Sequence, residues 1–232
     1  KLKRDELKKI LAGCVKNAGL DDAYVEMIQT RGVSPNFVRD PRAATPRVMA
    51  FAVPFGWILK PEDFEIGLDV LLTNIKRIPP SSVDPTIKNY HWLDLVTGML
   101  DAYERGHNTA ILIDENNNIS EGPGFNIFSV NKSEINTPDY GVLEGITRQT
   151  VINLAKELKI KVNIKPINAE MLKSSDELFA TSTAGGVMPI TKVDGKLIDL
   201  GKVGNITRKI HKIYWDKHTN NNWTESIKNI LK

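Results

Sequence analysis

The segment Pro85-Thr86-Ile87-Lys88-Asn89-Tyr90-His91-Trp92 sets one lysine among apolar and aromatic neighbours, outside the Lys-rich surface patterns found elsewhere in the chain. A proline-rich loop with Pro79 and Pro80 precedes it, and an amphipathic helix follows. A lysine at a loop–helix junction is most often a solvated side chain. The segment gains meaning only from three others further along.

The first, Ser120-Glu121-Gly122-Pro123-Gly124-Phe125-Asn126, sets a carboxylate in a Gly-rich turn between two strands. If that turn buries Glu121, the carboxylate must pair with a cation or share a proton. The second, Gly141-Val142-Leu143-Glu144-Gly145-Ile146-Thr147-Arg148, is a tight turn running into a helix. A helix start exposes unpaired N–H groups and the positive end of a dipole, which suits an anion. Gly145 lets the backbone approach closely. The third, Thr181-Ser182-Thr183-Ala184-Gly185-Gly186, places hydroxyls and then glycines at a strand end. Each has an ordinary reading too: a turn acceptor, a helix capped by Thr147, a plain loop. Together they are a lysine, a buried carboxylate and an anion cradle, which is what pyridoxal phosphate requires.

Composition narrows the class. With 232 residues, 41% hydrophobic and 25% charged, the chain can form one large domain or two modest ones around a real core. The net charge of +3 is spread along the chain without a basic block interleaved with aromatics, so nucleic acid is not the expected partner. Cys14 is the single cysteine, which excludes an internal disulfide and fits a reducing, cytoplasmic setting. The histidines 91, 107, 211 and 218 do not cluster at ligand spacing, so no metal site is expected. The longest apolar run, 48–59, is broken by Pro54 and is too short to span a bilayer.

Periodicity predicts a helix over 5–17, capped by Asp5 and closed by Gly19. It predicts strands over 23–30 and 47–53, with a turn at Arg31-Gly32 and a loop over 33–46. Pro54, Gly56 and Pro61 mark a domain boundary. Beyond it the pattern predicts a strand over 67–75 and a helix over 91–104 with Leu93, Val96, Leu100 and Tyr103 on one face. Strands follow over 109–113, 125–130, 162–167 and 178–182, with a hairpin through 131–134 and a helix over 147–158. A second hairpin turns at Asp194-Gly195, and a last helix covers 205–218 before a frayed Asn-rich end.

The set Ile87-Lys88-Asn89, Ser120-Glu121-Gly122 with Phe125-Asn126, Gly145-Ile146-Thr147-Arg148 and Thr183-Ala184-Gly185-Gly186, in this order, resembles the class IV (fold type IV) pyridoxal-phosphate aminotransferases. The resemblance runs from about residue 23 to 218. Within the family, Ile78-Pro79-Pro80, Asp84-Pro85-Thr86-Ile87-Lys88-Asn89, Trp92-Leu93-Asp94-Leu95-Val96 and the stretch from Thr183 to Thr191 look most like the (R)-selective amine transaminases. Branched-chain enzymes usually carry a Gly-Gly-Asn-Tyr type sequence after the lysine, where Asn89-Tyr90-His91-Trp92 stands here.

The resemblance implies a mixed α and β (α+β) fold of two domains. Residues 1–57 would be the remainder of an N-terminal small domain, 58–64 a linker, and 65–232 a large domain with a β pseudo-barrel flanked by helices. It implies a homodimer using pyridoxal 5'-phosphate, with small amine or amino acid and keto acid substrates. Lys88 is implied as the Schiff-base lysine and proton carrier, and is expected to be buried. Glu121 is implied as partner of the pyridine nitrogen, and Leu143 as packing on the ring. Gly145, Ile146, Thr147, Ser182 and Thr183 are implied at the phosphate. Tyr24, Glu26, Trp92 and Ala184 are implied at the substrate, with Arg39 and Arg42 as candidates for its carboxylate. The family also has an N-terminal part, ahead of the position matched by Lys1, that supplies an arginine to the phosphate. Branched-chain or D-amino acid transamination, aminodeoxychorismate lyase activity and a non-catalytic dimerising remnant are the alternatives.

Overall fold

The structure, a computed structural model, describes residues 2–220 and 222–232. The chain divides into two compact units, Lys1–Gly56 with Asn220–Lys232, and Trp57–Thr219. The stretch 58–64, expected as a linker, is thus part of the second unit. The C-terminal residues, expected with the large domain, group with the first. They do so because a short helix α6 (Ile227–Ile230) packs on α1 (Arg4–Ala18), and Lys8 pairs with Glu225.

In the first unit α1 buries Ala12 and Val15. Its N-cap is Lys3, so Asp5 sits in the first turn rather than capping it. Gly19, left-handed at φ 66°, closes the helix as expected. Beside α1 lies the antiparallel pair β1 (Ala23–Val33) and β2 (Thr45–Pro54). The expected turn at Arg31-Gly32 is instead an irregularity inside β1, between Thr30 and Val33. Gly32 is required there: its φ is 84°, and a Cβ would meet the Thr45 carbonyl oxygen at 1.7 Å.

The second unit is built on a mixed eight-stranded sheet. Its strands are β3 (Leu68–Lys76), β4 (Thr109–Ile113), β5 (Asn126–Asn131), β6 (Glu134–Thr137), β7 (Val162–Ile164), β8 (Glu177–Ser182), β9 (Gly186–Val193) and β10 (Lys196–Leu197). The order is β4-β3-β9-β8-β5-β6-β7, with β10 on β9. The sheet curls into a half-barrel, and residues 118–122 stitch its ends. Ser120 and Glu121 exchange backbone hydrogen bonds with Leu112 on β4, and the Ile119 N–H donates to Ile167 just past β7. The β9–β10 turn at Asp194-Gly195 has positive φ at both residues, as the two-residue hairpin demands.

Alternation along the strands divides the core. Ile127, Leu178, Ala180, Met188 and Ile190 line the inside of the curl. Phe128, Phe179 and Val187 face outward against α3 (Ile146–Glu157) and α5 (Asn205–Lys217), where they meet Val151, Leu154 and Ile210. The Phe128 and Phe179 rings stack with centroids 4.9 Å apart. A third cluster seats α2 (Leu93–Glu104) on β3 and β4 through Leu95, Ala102, Leu71, Ala110 and Leu112. A short α4 (Ala169–Lys173), absent from the sequence reading, is capped by the Asn168 side chain. No helix among the described residues is long and apolar enough to cross a membrane.

Candidate active site

Glu121 is buried, as its Gly-rich turn suggested. Gly122 makes room: a Cβ there would fall 2.1 Å from the Phe125 ring and 2.6 Å from the Ala110 carbonyl oxygen. The carboxylate accepts from Arg77 Nε at 3.1 Å on Oε1, and from the Leu143 N–H at 3.0 Å and Asn126 Nδ2 at 3.4 Å on Oε2. Burial pushes this carboxyl up from the ordinary glutamate range, against the Leu143 N–H and the Arg77 guanidinium, which pull it down. Asn126 also donates to the Leu143 carbonyl at 2.8 Å, so one side chain ties the 141–145 turn to Glu121.

That turn delivers α3. Gly145 is its N-cap, and Thr147 lies in the first turn instead of capping. No side chain caps the helix, so the first N–H groups stay available to a ligand. A Cβ on Gly145 would lie 2.4 Å from Asn126 Oδ1, which explains the glycine. Thr147 is buried, and its side chain draws the phenol of Tyr214 on α5 down against the burial that raises it. Arg148 is also buried, donating to the Pro138 carbonyl at 2.9 Å. Ile146 is exposed. The β8–β9 turn meets the same place. Thr181 pairs with Asn126 across the ladder, and a Cβ on Gly186 would strike the Tyr214 ring at 2.7 Å. Ser182 Oγ accepts the Ala184 N–H at 3.1 Å, while Thr183 is exposed. Thr181 Oγ1 is buried and makes no hydrogen bond.

Lys88 lies on the segment between β3 and α2, and it is exposed. The expected burial is not found. Polar turns build the segment rather than packing: Asp84 Oδ1 accepts the Thr86 N–H at 2.9 Å, and Asn89 donates to the Ile87 carbonyl at 2.8 Å. Ile87 and Tyr90 are exposed as well. The two ends of the segment are nevertheless anchored at Glu121. Arg77 precedes it, and Asp94, just after it, takes Arg77 Nη1 at 2.6 Å. Trp92 is half-buried near Gly124, whose added Cβ would sit 3.5 Å from the indole.

Thus Glu121, Leu143, Gly145, Thr147 and Ser182 come together around the ends of β5 and β8, with the root of the Lys88 segment beside them. Arg77, Asp94 and Asn126 belong to this cluster too; Asp94 and Asn126 stand in the sequence motifs but have no role assigned there, and Arg77 stands in none of them. Tyr24 and Glu26 lie half-buried in the first unit, on the same face of β1. Burial and the Glu26 charge raise the Tyr24 phenol above its ordinary range. In the same unit Arg42 is held by Asp40 at 2.7 Å, and Arg39 is exposed. Separately, a cavity of about 370 Å³ lined by Trp57, Leu59, Phe64, Met188, His211 and Trp215 reaches Gly185, next to Ala184, but none of Lys88, Glu121 or Thr147 lines it.

A curled mixed sheet with a buried carboxylate and an open helix start defines a class already known. Residues 1–193 match the family described as amino-transferase class IV. The putative branched-chain-amino-acid aminotransferase of Methanocaldococcus jannaschii is 31% identical over 220 residues, covering 94% of this chain and 75% of that protein. The branched-chain-amino-acid aminotransferase of Escherichia coli (strain K12) is 30% identical over 218 residues, 93% of this chain and 71% of that protein. Among solved structures, a crystal structure of the Escherichia coli branched-chain amino acid aminotransferase superposes with a TM-score of 0.88 at 30% identity, over 97% of this chain and 75% of that one. The branched-chain aminotransferase of the thermophilic archaeon Thermoproteus uzoniensis, solved with norvaline, gives 0.87 at 29% identity, over 97% and 76%. The chain belongs to the class IV aminotransferases.

Proposed function

We propose that this chain uses pyridoxal 5'-phosphate to move amino groups between branched-chain amino acids and 2-keto acids, as a homodimer in the cytoplasm. The observation that carries the reading is the buried Glu121 carboxylate set beside an uncapped helix start, with the Lys88 segment rooted on the same cluster. The residues present fit the cofactor. The α3 start and the hydroxyls of Thr147, Ser182 and Thr183 suit its phosphate. Thr181 Oγ1, buried without a partner, leaves one more hydroxyl in the same neighbourhood. Glu121 suits a protonated ring nitrogen, and Leu143 an apolar ring face.

Pyridoxal phosphate, when bound, supplies an aldehyde that exchanges amines and a ring that withdraws electrons from the neighbouring carbon. Lys88 would hold it covalently and carry a proton to and from the substrate Cα. Glu121 would keep the proton on the ring nitrogen, while Trp92 and Ala184 would bound the substrate. The exposed Leu93, Val96, Leu100 and Tyr103 on α2 support the dimer, because an apolar stripe of this kind calls for a cover. Cys14, the sole cysteine and a free thiol, supports the reducing compartment.

The sequence reading favoured (R)-amine donors. The relatives are named for branched-chain amino acids, and this moves the substrate proposal to L-leucine, L-isoleucine and L-valine. Asn89-Tyr90-His91-Trp92 keeps (R)-amines as the second reading. Borohydride reduction after adding pyridoxal phosphate, with peptide mapping, is expected to label Lys88. Well-folded protein without that label would end the cofactor reading. An assay with 2-oxoglutarate as acceptor then separates L-leucine from (R)-1-phenylethylamine, and faster turnover of the latter would reverse the substrate choice.

A further inference from the structure

We infer that Asp94 is a positioning residue of this site: its carboxylate clasps both ends of the Lys88 segment and holds the Arg77 guanidinium so that Glu121 keeps an uncompensated negative charge. The inference rests on reading Glu121 as the carboxylate that meets the ring nitrogen. Arg77, Asp94 and Glu121 form one buried group, their side chains 9%, 8% and 7% exposed. Asp94 Oδ2 accepts Arg77 Nη1 at 2.6 Å and the Ile78 N–H at 2.7 Å, and Oδ1 accepts the Leu95 N–H at 2.8 Å. Arg77 reaches Glu121 only through Nε, at 3.1 Å. Its own N–H donates to the Ile113 carbonyl at 2.8 Å, so its backbone is fixed to β4.

The charge count gives this geometry a role. One guanidinium between two carboxylates leaves the buried group one negative charge in excess. Arg148, whose guanidinium feels Glu144, Asp139 and Glu121, is turned to the Pro138 carbonyl and the Thr137 hydroxyl. With Asp94 neutral, Arg77 could turn both of its N–H edges onto Glu121 and quench it. With Asp94 charged, Arg77 is shared, and Glu121 remains a strong acceptor for a cationic N–H. The same carboxylate closes the neck of the segment that carries Lys88, between Ile78 and Leu95, so a single residue ties the amine's mooring to the Glu121 carboxylate through Arg77.

Three variants test this. In cofactor-free protein, hydrogen–deuterium exchange at the Ile78 amide is expected to quicken at least about tenfold in Asp94→Ala and by less in Asp94→Asn. In loaded protein, the pH midpoint of the visible band of the Lys88-bound cofactor is expected to fall by about one unit in Asp94→Asn, because a negative charge facing a cationic system is lost. kcat should fall roughly tenfold with KM changed less than about twofold. Asp94→Glu should recover most of the midpoint. An unchanged midpoint in Asp94→Asn, whether or not the protein melts earlier, overturns the electrostatic role. An unchanged Ile78 amide in both variants overturns the clasp. If wild-type protein forms no Lys88 adduct, the functional reading fails, and the exchange measurement alone decides on the clasp.

Discussion

Glu121 is held where its charge is costly, and this has a measurable sign. Its carboxyl is raised in the folded protein because burial outweighs the Leu143 N–H and Arg77. Below the unfolded value both states carry the proton. As pH rises toward the folded value, the unfolded chain releases its proton while the folded protein keeps it, so the contribution to stability falls. Glu121→Gln is therefore expected to make cofactor-free protein more stable at pH 8, by about 1 kcal/mol, with a smaller gap at pH 5. Urea denaturation at the two pH values reads this, and a variant less stable at pH 8 would contradict it. Transamination by the same variant is expected to drop at least about a hundredfold. Glu121 and Thr147 stand out in the sequence because each sits in a local signature, a Gly-rich turn or a helix start, and Lys88 stands out by its apolar and aromatic neighbours. The contacts of Arg77 and Asp94 have no such signature. Arg77 follows Lys76 and reads as one of a basic surface pair, while Asp94 reads as an ordinary first-turn acid. The bond that gives Arg77 its meaning spans 44 residues. The exposure of Lys88 was equally hidden, since apolar neighbours in sequence do not fix what lies over a loop.

Glycines decide how closely α3, α5 and the β8–β9 turn approach. Gly186 has φ 68°, and its Cβ would meet the Tyr214 and Trp215 rings at 2.7 and 2.9 Å. Gly186→Ala is expected to cost about 2 kcal/mol in thermal unfolding and to loosen Tyr214 from Thr147. Gly13 makes the contrast: it lies within α1 with nothing within 4 Å of its Cβ, so Gly13→Ala should stabilise by about 0.5–1 kcal/mol. A Gly186→Ala protein as stable as wild type would refute the packing argument. Most elements were readable to within a few residues, because strand alternation and helical period are strong along this chain. The orientation of α2 was not. Two apolar stripes compete on it, and the larger one, with Leu93, Val96, Leu100 and Tyr103, is exposed. The smaller one is buried: Gly98 approaches within 2.8 Å of Leu112 for an added Cβ, beside Leu95 and Ala102. Close packing on the sheet selected small residues over bulky ones, a choice periodicity does not encode.

The α2 stripe also bears on assembly. For the homodimer proposed above, Leu100→Asp is expected to shift light scattering toward the monomer, with little effect on the buried Leu95 side. Wild-type protein running as a monomer at tens of micromolar would argue against the dimer. Sheet topology carries a different consequence, for the order in which the molecule is made. β3 lies between β4 and β9, and its residue Leu68 pairs with Ile190 near the far end of the unit. During synthesis Lys88 and Glu121 leave the ribosome while one edge of β3 still waits for a strand not yet translated. Long-range parallel pairing is slow to form, and an open apolar edge invites wrong partners meanwhile. Cofactor capture should therefore follow the arrival of β9. A nascent chain arrested before residue 186 would expose the lysine and the carboxylate but leave them without the strand that finishes their support.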